Sequence, residues 1–136
     1  MKSQIVINRA DHAHLESLLN GTIPPPLPDP DQQVILHTLL ASATVVREGH
    51  AREQRHAGFH DRITLVSPKD SMDYYKFSIV LPREADIDAE HISVLTPLCL
   101  AVLGRACGQM VTWETPVGTR EMRIIAIEKA GTLAAA

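Results

Sequence analysis

Aromatic residues are scarce in this chain: Phe59, Tyr74, Tyr75, Phe77 and Trp113 are all that its 136 residues contain. That number argues against a ligand pocket walled by aromatic rings. Cysteine is as sparse. Cys99 and Cys107 lack C-x-x-C spacing and lie in or beside an apolar run, so they read as small core residues of a reducing compartment and not as a disulfide framework. No eighteen consecutive residues are apolar, and the opening MKSQIVINRADH falls far short of a signal-peptide core, so a cytoplasmic protein with no membrane association is expected. Positive charge is not in excess either. A net charge of -3 speaks against a module that grips a nucleic-acid duplex by its phosphates, so direct sequence-specific DNA binding is not expected and any such role would pass through a protein partner. A glycine-rich phosphate loop is missing as well: Gly104 and Gly108 have the wrong spacing and follow a helix instead of preceding one, which argues against a kinase or nucleotide hydrolase.

What is present is best punctuated between Ile92 and Glu128. Thr96 is a good N-cap, Pro97 sits where its missing N–H costs nothing, and Gly104 follows at the left-handed position past the helix end. The residues from Leu98 to Leu103 are all apolar, so this helix should lie against a sheet. Val111 and Trp113 alternate with Thr112 and Glu114 as in a half-buried strand. Thr115-Pro116-Val117-Gly118 fits a type I turn, and Glu121 to Glu128 returns as the second strand.

Toward the N-terminus, Ile5, Val6 and Ile7 form a brief apolar start. Asn8 or Asp11 then caps a helix to about Asn20, with Gly21 past its end and Leu15, Leu18 and Leu19 as its stripe. The proline-rich linker from Thr22 to Pro30 is stiff and extended. From Asp31, read as an N-cap, a second helix is expected to about Val46, with Ile35, Leu36, Leu39, Leu40 and Ala43 on one face. Two single-stripe helices joined in this way make an antiparallel hairpin, a short coiled coil over residues 1–48. Beyond it, Arg62 to Ser67 and Tyr74 to Leu81 read as a strand hairpin, Arg83 to Glu90 as an acidic solvated loop, and Ala134 to Ala136 as a frayed tail. The fold class expected is α+β, the helical hairpin being followed by a compact unit of strands around one helix over residues 49–136.

The run Ile92-Ser93-Val94, Thr96-Pro97, the apolar helix ending Leu103-Gly104-Arg105, Gly108, the strand through Trp113 and Thr115-Pro116-x-Gly118 resembles the C-terminal domain of the Gre transcript-cleavage factors. The layout of the whole chain is similar to the Rnk proteins, regulators of nucleoside diphosphate kinase, which place a short helical hairpin before that domain. The resemblance implies an FKBP-like antiparallel sheet packed on one helix. It also implies attachment to bacterial RNA polymerase at the rim of the secondary channel. Gre factors carry a long coiled coil whose acidic tip helps to hold a metal ion at the polymerase active site. Here a second helix of roughly 16 residues spans only about 24 Å. The resembling fold occurs in prolyl isomerases too, but those use the aromatic-lined pocket that five aromatics do not furnish.

Asp29 and Asp31 stand at the hairpin tip, where paired carboxylates could hold a hard cation; the plainer reading makes Asp31 an N-cap and Asp29 a turn residue. Arg120 and Arg123, alternating with Met122 and Ile124, are expected to offer one basic strand face to a partner, with Pro116 and Gly118 at the adjoining turn. His50, His56 and His60 are the densest histidines, but only His56 and His60 could share a helical face, and Gly58 between them disfavours that helix, so no resident metal or cofactor is expected. The function expected is a non-enzymatic, polymerase-binding transcription regulator that competes with Gre factors without RNA cleavage. The rivals are a cleavage-stimulating factor acting through Asp29 and Asp31, and an indirect regulator of nucleoside diphosphate kinase. A monomer or weak dimer fits the stripes equally.

Overall fold

A computed structural model describes residues 5–22 and 26–130. The first residues of the chain, the linker reading at Ile23, Pro24 and Pro25 and the frayed tail at Ala134 to Ala136 lie outside the described residues.

The chain opens with β1 (Val6–Asn8) and α1 (Arg9–Asn20). Asn8 is the cap: its Oδ1 accepts a 2.7 Å hydrogen bond from the Asp11 N–H. Gly21, at φ 69°, ends the helix and returns its N–H to the Ser17 carbonyl. Then comes α2 (Pro30–Ser42), and here two expectations are corrected. Its cap is Asp29, not Asp31. Pro30 takes the first helical position, where no N–H is needed, and that fixes the cap one residue earlier. Asp29 Oδ1 accepts from the Gln32 N–H at 2.8 Å, and Gln32 Oε1 accepts from the Asp29 N–H at 2.9 Å, a reciprocal capping box. The helix also stops at Ser42, because the β-branched run Thr44–Val46 forms β2 and pairs in parallel with β1. Leu36 and Leu39 are buried, whereas Ile35, turned about 100° from Leu36 around the axis, is 45% exposed.

The remaining strands are β3 (Arg62–Val66), β4 (Tyr74–Val80), β5 (His91–Ser93), β6 (Met110–Thr115) and β7 (Gly118–Glu128), with α3 (Pro97–Val102) between β5 and β6. They form one sheet in the order β5-β4-β3-β7-β6, antiparallel except for the parallel β4–β5 pair. A bulge leaves Ile125 extra opposite Thr64 and Leu65, and such an insertion increases the local twist. The inner face presents Ile63, Leu65, Phe77, Ile79, Val111, Met122 and Ile124, all buried, toward α3. Thr96 caps α3, its Oγ1 accepting from the Cys99 N–H at 3.3 Å. Gly104 closes the helix at φ 81°, and a Cβ there would lie 2.4 Å from Ile5 Cγ2. That close approach lets Gly104 accept from the Val6 N–H at 2.9 Å and donate to Ala57 O at 2.8 Å, stitching β1 to the sheet unit.

The helical hairpin lies on this unit. Leu15, Leu18, Leu36 and Leu39 share one core cluster with Leu81, Val94, Leu95, Val102 and Leu103.

Candidate functional site

The start of α2 is tied to the sheet unit by Gln32, whose Nε2 donates to the Leu95 carbonyl oxygen at 2.9 Å. Beneath this bond runs a groove of about 500 Å³ between the hairpin tip and the α3–β6 edge. Ile35, Leu95, Pro97, Leu100 and the half-buried Trp113 give it an apolar floor, and Asp29, Asp31 and Glu114 stand around it. The tip carboxylates therefore border the protein's own surface. They are not equivalent. Asp29 is committed to the cap, while Asp31 is exposed in the first turn, where the positive end of the helix favours its charge.

Arg120 and Arg123 are three residues apart on β7 and so point to opposite faces, which corrects the expectation of one basic strand face. Arg120 shares the inner face with Met122 and Ile124. It pairs with Asp73 at 3.0 Å and stacks 5.6 Å over the Tyr75 ring, and it stands opposite Trp113 in the strand register. Arg123 faces outward and donates to Gly108 O at 2.9 Å. Pro116 is in the exposed two-residue loop between β6 and β7, and Gly118 opens β7 at φ 123°. Thr115 Oγ1 ties this loop by donating to Gly118 O at 2.7 Å. The structure thus brings Asp29 and Asp31 together at the groove, keeps Pro116 and Gly118 side by side in the β6–β7 turn, and turns Arg120 and Arg123 to opposite faces of β7.

The three loop histidines go separate ways. His50 Nδ1 accepts from the Arg52 N–H, His56 Nδ1 is 2.5 Å from Arg52 O, and His60 Nε2 meets Glu84 at 3.1 Å. Among the described residues no group of three or more His, Cys, Asp or Glu side chains converges as a metal site would require. Burial pushes the Cys99 thiol up to about 12, so it stays protonated and unreactive, while Cys107 is exposed.

Sequence reasoning missed a buried charge cluster where α1 meets the sheet unit. Asp11 Oδ2 accepts from the Phe59 N–H at 3.1 Å. Asp61 accepts from the Gly58 N–H and the Ala130 N–H, each at 2.8 Å, and from Lys129 Nζ at 2.5 Å. Gly58 makes the convergence possible, since a Cβ there would lie 2.6 Å from Asp11 Oδ2 and 3.2 Å from Asp61 Oδ2. Burial raises the Asp11 carboxyl to about 6, with the Asp61 charge pushing the same way against the Phe59 hydrogen bond. No spacing in the chain marks this cluster, whose members lie on three distant segments.

Residues 53–129 match the family described as "Transcription elongation factor, GreA/GreB, C-term", more than half of the chain. The chain belongs to the GreA/GreB family. A solved GreA/GreB factor from Nitrosomonas europaea superposes with a TM-score of 0.74 at 26% identity, covering 94% of this chain and 100% of that one. GreA of Thermotoga maritima is 27% identical over 92 residues, which are 68% of this chain and 57% of that protein. GreA of Phenylobacterium zucineum is 32% identical over 70 residues, 52% of this chain and 44% of the other. This GreA/GreB-family chain therefore spans about half the length of the curated relatives that it matches. The Thermus aquaticus Gfh1 structure, at 18% identity and a TM-score of 0.52, shares the fold over 93% of this chain and 99% of its own.

Proposed function

We propose that this GreA/GreB-family chain is a cytoplasmic regulator that binds bacterial RNA polymerase at the secondary channel and alters transcription without stimulating RNA cleavage. Residues 49–136 serve as the docking unit and residues 1–48 as a short hairpin laid on it. The Gln32–Leu95 bond carries this reading. It holds the start of α2 on the domain, while Asp29 is engaged as a cap, so the tip lacks the free pair of carboxylates that metal delivery needs. The groove below the tip supports docking. Its apolar floor suits the apolar anchors of a partner helix, and the carboxylates around it suit basic flanks. Pro116 and Gly118, in the exposed turn between β6 and β7, are proposed as outlying contacts. An influence on nucleoside diphosphate kinase would follow indirectly from altered transcription.

The test is co-purification with core polymerase, challenge with a GreA cleavage factor, and RNA release from backtracked complexes. Binding with displacement of GreA and no added release is expected. Absence of binding at micromolar concentrations sinks the docking reading. Release that depends on Asp29 and Asp31 establishes the cleavage-factor alternative in its place.

A further inference from the structure

The sheet has an uncovered stretch at the edge opposite the groove. In the order β5-β4-β3-β7-β6, β4 runs from Tyr74 to Val80, but β5 pairs with it only from Ser78 to Val80. The shortness of β5 has a local cause: Glu90 takes a left-handed φ of 61° and Asp86 bridges to His91, so the chain before His91 turns away from β4. Hydrogen-bonding direction alternates along a strand. The Ser78 N–H donates to Glu90 O at 2.9 Å, on the β5 side, so the N–H and C=O groups of Tyr74 and Lys76 also point away from β3. Among the described residues nothing bonds them. Beside them, on the α3 side of the sheet, lies a pocket of about 330 Å³ walled by Tyr75, Phe77, Ile87, Ile92 and Leu98. Phe77 is buried and Ile87 is 77% exposed, so the pocket opens from the core to solvent. Lys76 points to the other face and has no ion-pair partner among the described residues.

We infer that this edge accepts an extended segment of another protein, which adds to β4 as an antiparallel strand with an apolar–acidic–apolar centre. The backbone groups specify an extended chain. Unpaired N–H and C=O groups on a sheet edge are satisfied by the backbone of a further strand, and antiparallel pairing lets one residue exchange both bonds with Lys76. Alternation then fixes the side chains. The residue opposite Lys76 points to the same face as the ammonium group, where Asp or Glu makes a cross-strand ion pair. Its two neighbours stand opposite Tyr75 and Phe77 and enter the pocket. A helix cannot meet these demands, because its backbone is already hydrogen-bonded internally. A second copy of this chain fits worse. Pairing edge to edge about a two-fold axis brings its own Lys76 to the same face, and a lysine on an edge strand is a common guard against such self-pairing. The edge lies across the sheet from the groove beside β6, with β3 and β7 between them, so the two surfaces can be occupied together.

The probe is a synthetic peptide, acetyl-Ser-Thr-Ile-Asp-Ile-Thr-Ser-amide, titrated into the full isotope-labelled chain and followed by nuclear magnetic resonance. A few backbone bonds and one pocket predict a dissociation constant of about 0.1–1 mM. The Tyr74 and Lys76 amides should shift and exchange more slowly with solvent, while those of Tyr75 and Phe77, already in the β3 ladder, should keep their rates. Methylating the peptide's aspartate nitrogen, which faces the edge, should weaken binding at least about tenfold, and methylating an isoleucine nitrogen, which faces away, should not. Lys76→Pro removes the edge donor without touching the β3 ladder and should also cost at least about tenfold, whereas Lys76→Ala keeps the donor and should cost no more than about fivefold. The methylated peptides decide the matter if the proline variant does not fold. No binding at about 5 mM peptide, equal binding of the two methylated peptides, or binding unchanged by a folded Lys76→Pro overturns the proposal. So does protection of the Tyr74 and Lys76 amides that grows with protein concentration alone, which gives the edge to a second copy.

Discussion

Gln32 Nε2 donates to Leu95 O across 63 positions of sequence, while the Oε1 of the same side chain closes the capping box on Asp29. One amide both starts α2 and fastens it to the sheet unit. The two roles separate by substitution. Gln32→Ala removes both and should lower stability by about 1–2 kcal/mol in urea denaturation. Gln32→Glu keeps an acceptor for the cap but cannot donate to Leu95. It should speed hydrogen exchange at the start of α2 while preserving helix content, and unchanged exchange there would show that the tether does not hold the tip.

Asp11 makes stability depend on pH. Its folded value of about 6 lies above its ordinary 3.8, so folding favours the protonated form. The contribution is full below about 4 and is lost as pH rises through 6. Asp11→Asn keeps an oxygen for the Phe59 N–H and carries no charge. The stability of the wild type relative to Asp11→Asn should therefore fall by about 1–3 kcal/mol between pH 4 and pH 7. Thermal melts of both proteins over that range measure it, and a flat difference would mean that Asp11 titrates normally.

The elements with local punctuation are legible in the sequence alone. Thr96-Pro97 with Gly104, Asn8 with Gly21, and the Pro116-Val117 loop all write their boundaries in residue types whose backbone chemistry allows little else. What misled was ambiguity between neighbouring residues of like kind. Asp29 and Asp31 are both plausible caps, and only the obligatory place of Pro30 decides between them. Val45 and Val46 continue an apolar pattern that suits helix or strand, and the choice is made by pairing with Val6 to Asn8, far away in sequence. The groove and the Asp11–Asp61–Lys129 cluster were illegible for a related reason: both are assembled by tertiary packing from segments with no local signal.

Gly104 is a further point of leverage, because it combines a left-handed backbone with a position pressed on Ile5. Gly104→Ala pays about 1–2 kcal/mol for the conformation alone. The contact with Ile5 Cγ2 at 2.4 Å adds a steric cost that shortening Ile5 can relieve. The double substitution Ile5→Ala, Gly104→Ala should therefore cost less than the sum of the single ones. Additive values in chemical denaturation would remove the packing part of this account and leave only the backbone part.

Asp29 and Asp31 should differ in stability and agree in function. Asp29→Ala loses the cap and should cost about 1 kcal/mol, whereas Asp31→Ala removes one exposed first-turn charge worth about 0.3–1 kcal/mol at low salt. Asp29→Asn with Asp31→Asn removes both charges but retains a capping oxygen, so the fold is preserved and the effect on function can be read alone. If the hairpin delivers no metal ion, this double variant and the wild type should release the same small amount of RNA from backtracked complexes. They should part only in docking, where losing two carboxylates from the groove rim weakens the hold on a basic partner and flattens the salt dependence of binding. RNA release by the wild type that the double variant lacks would show that the carboxylates reach the active site despite the Gln32 tether.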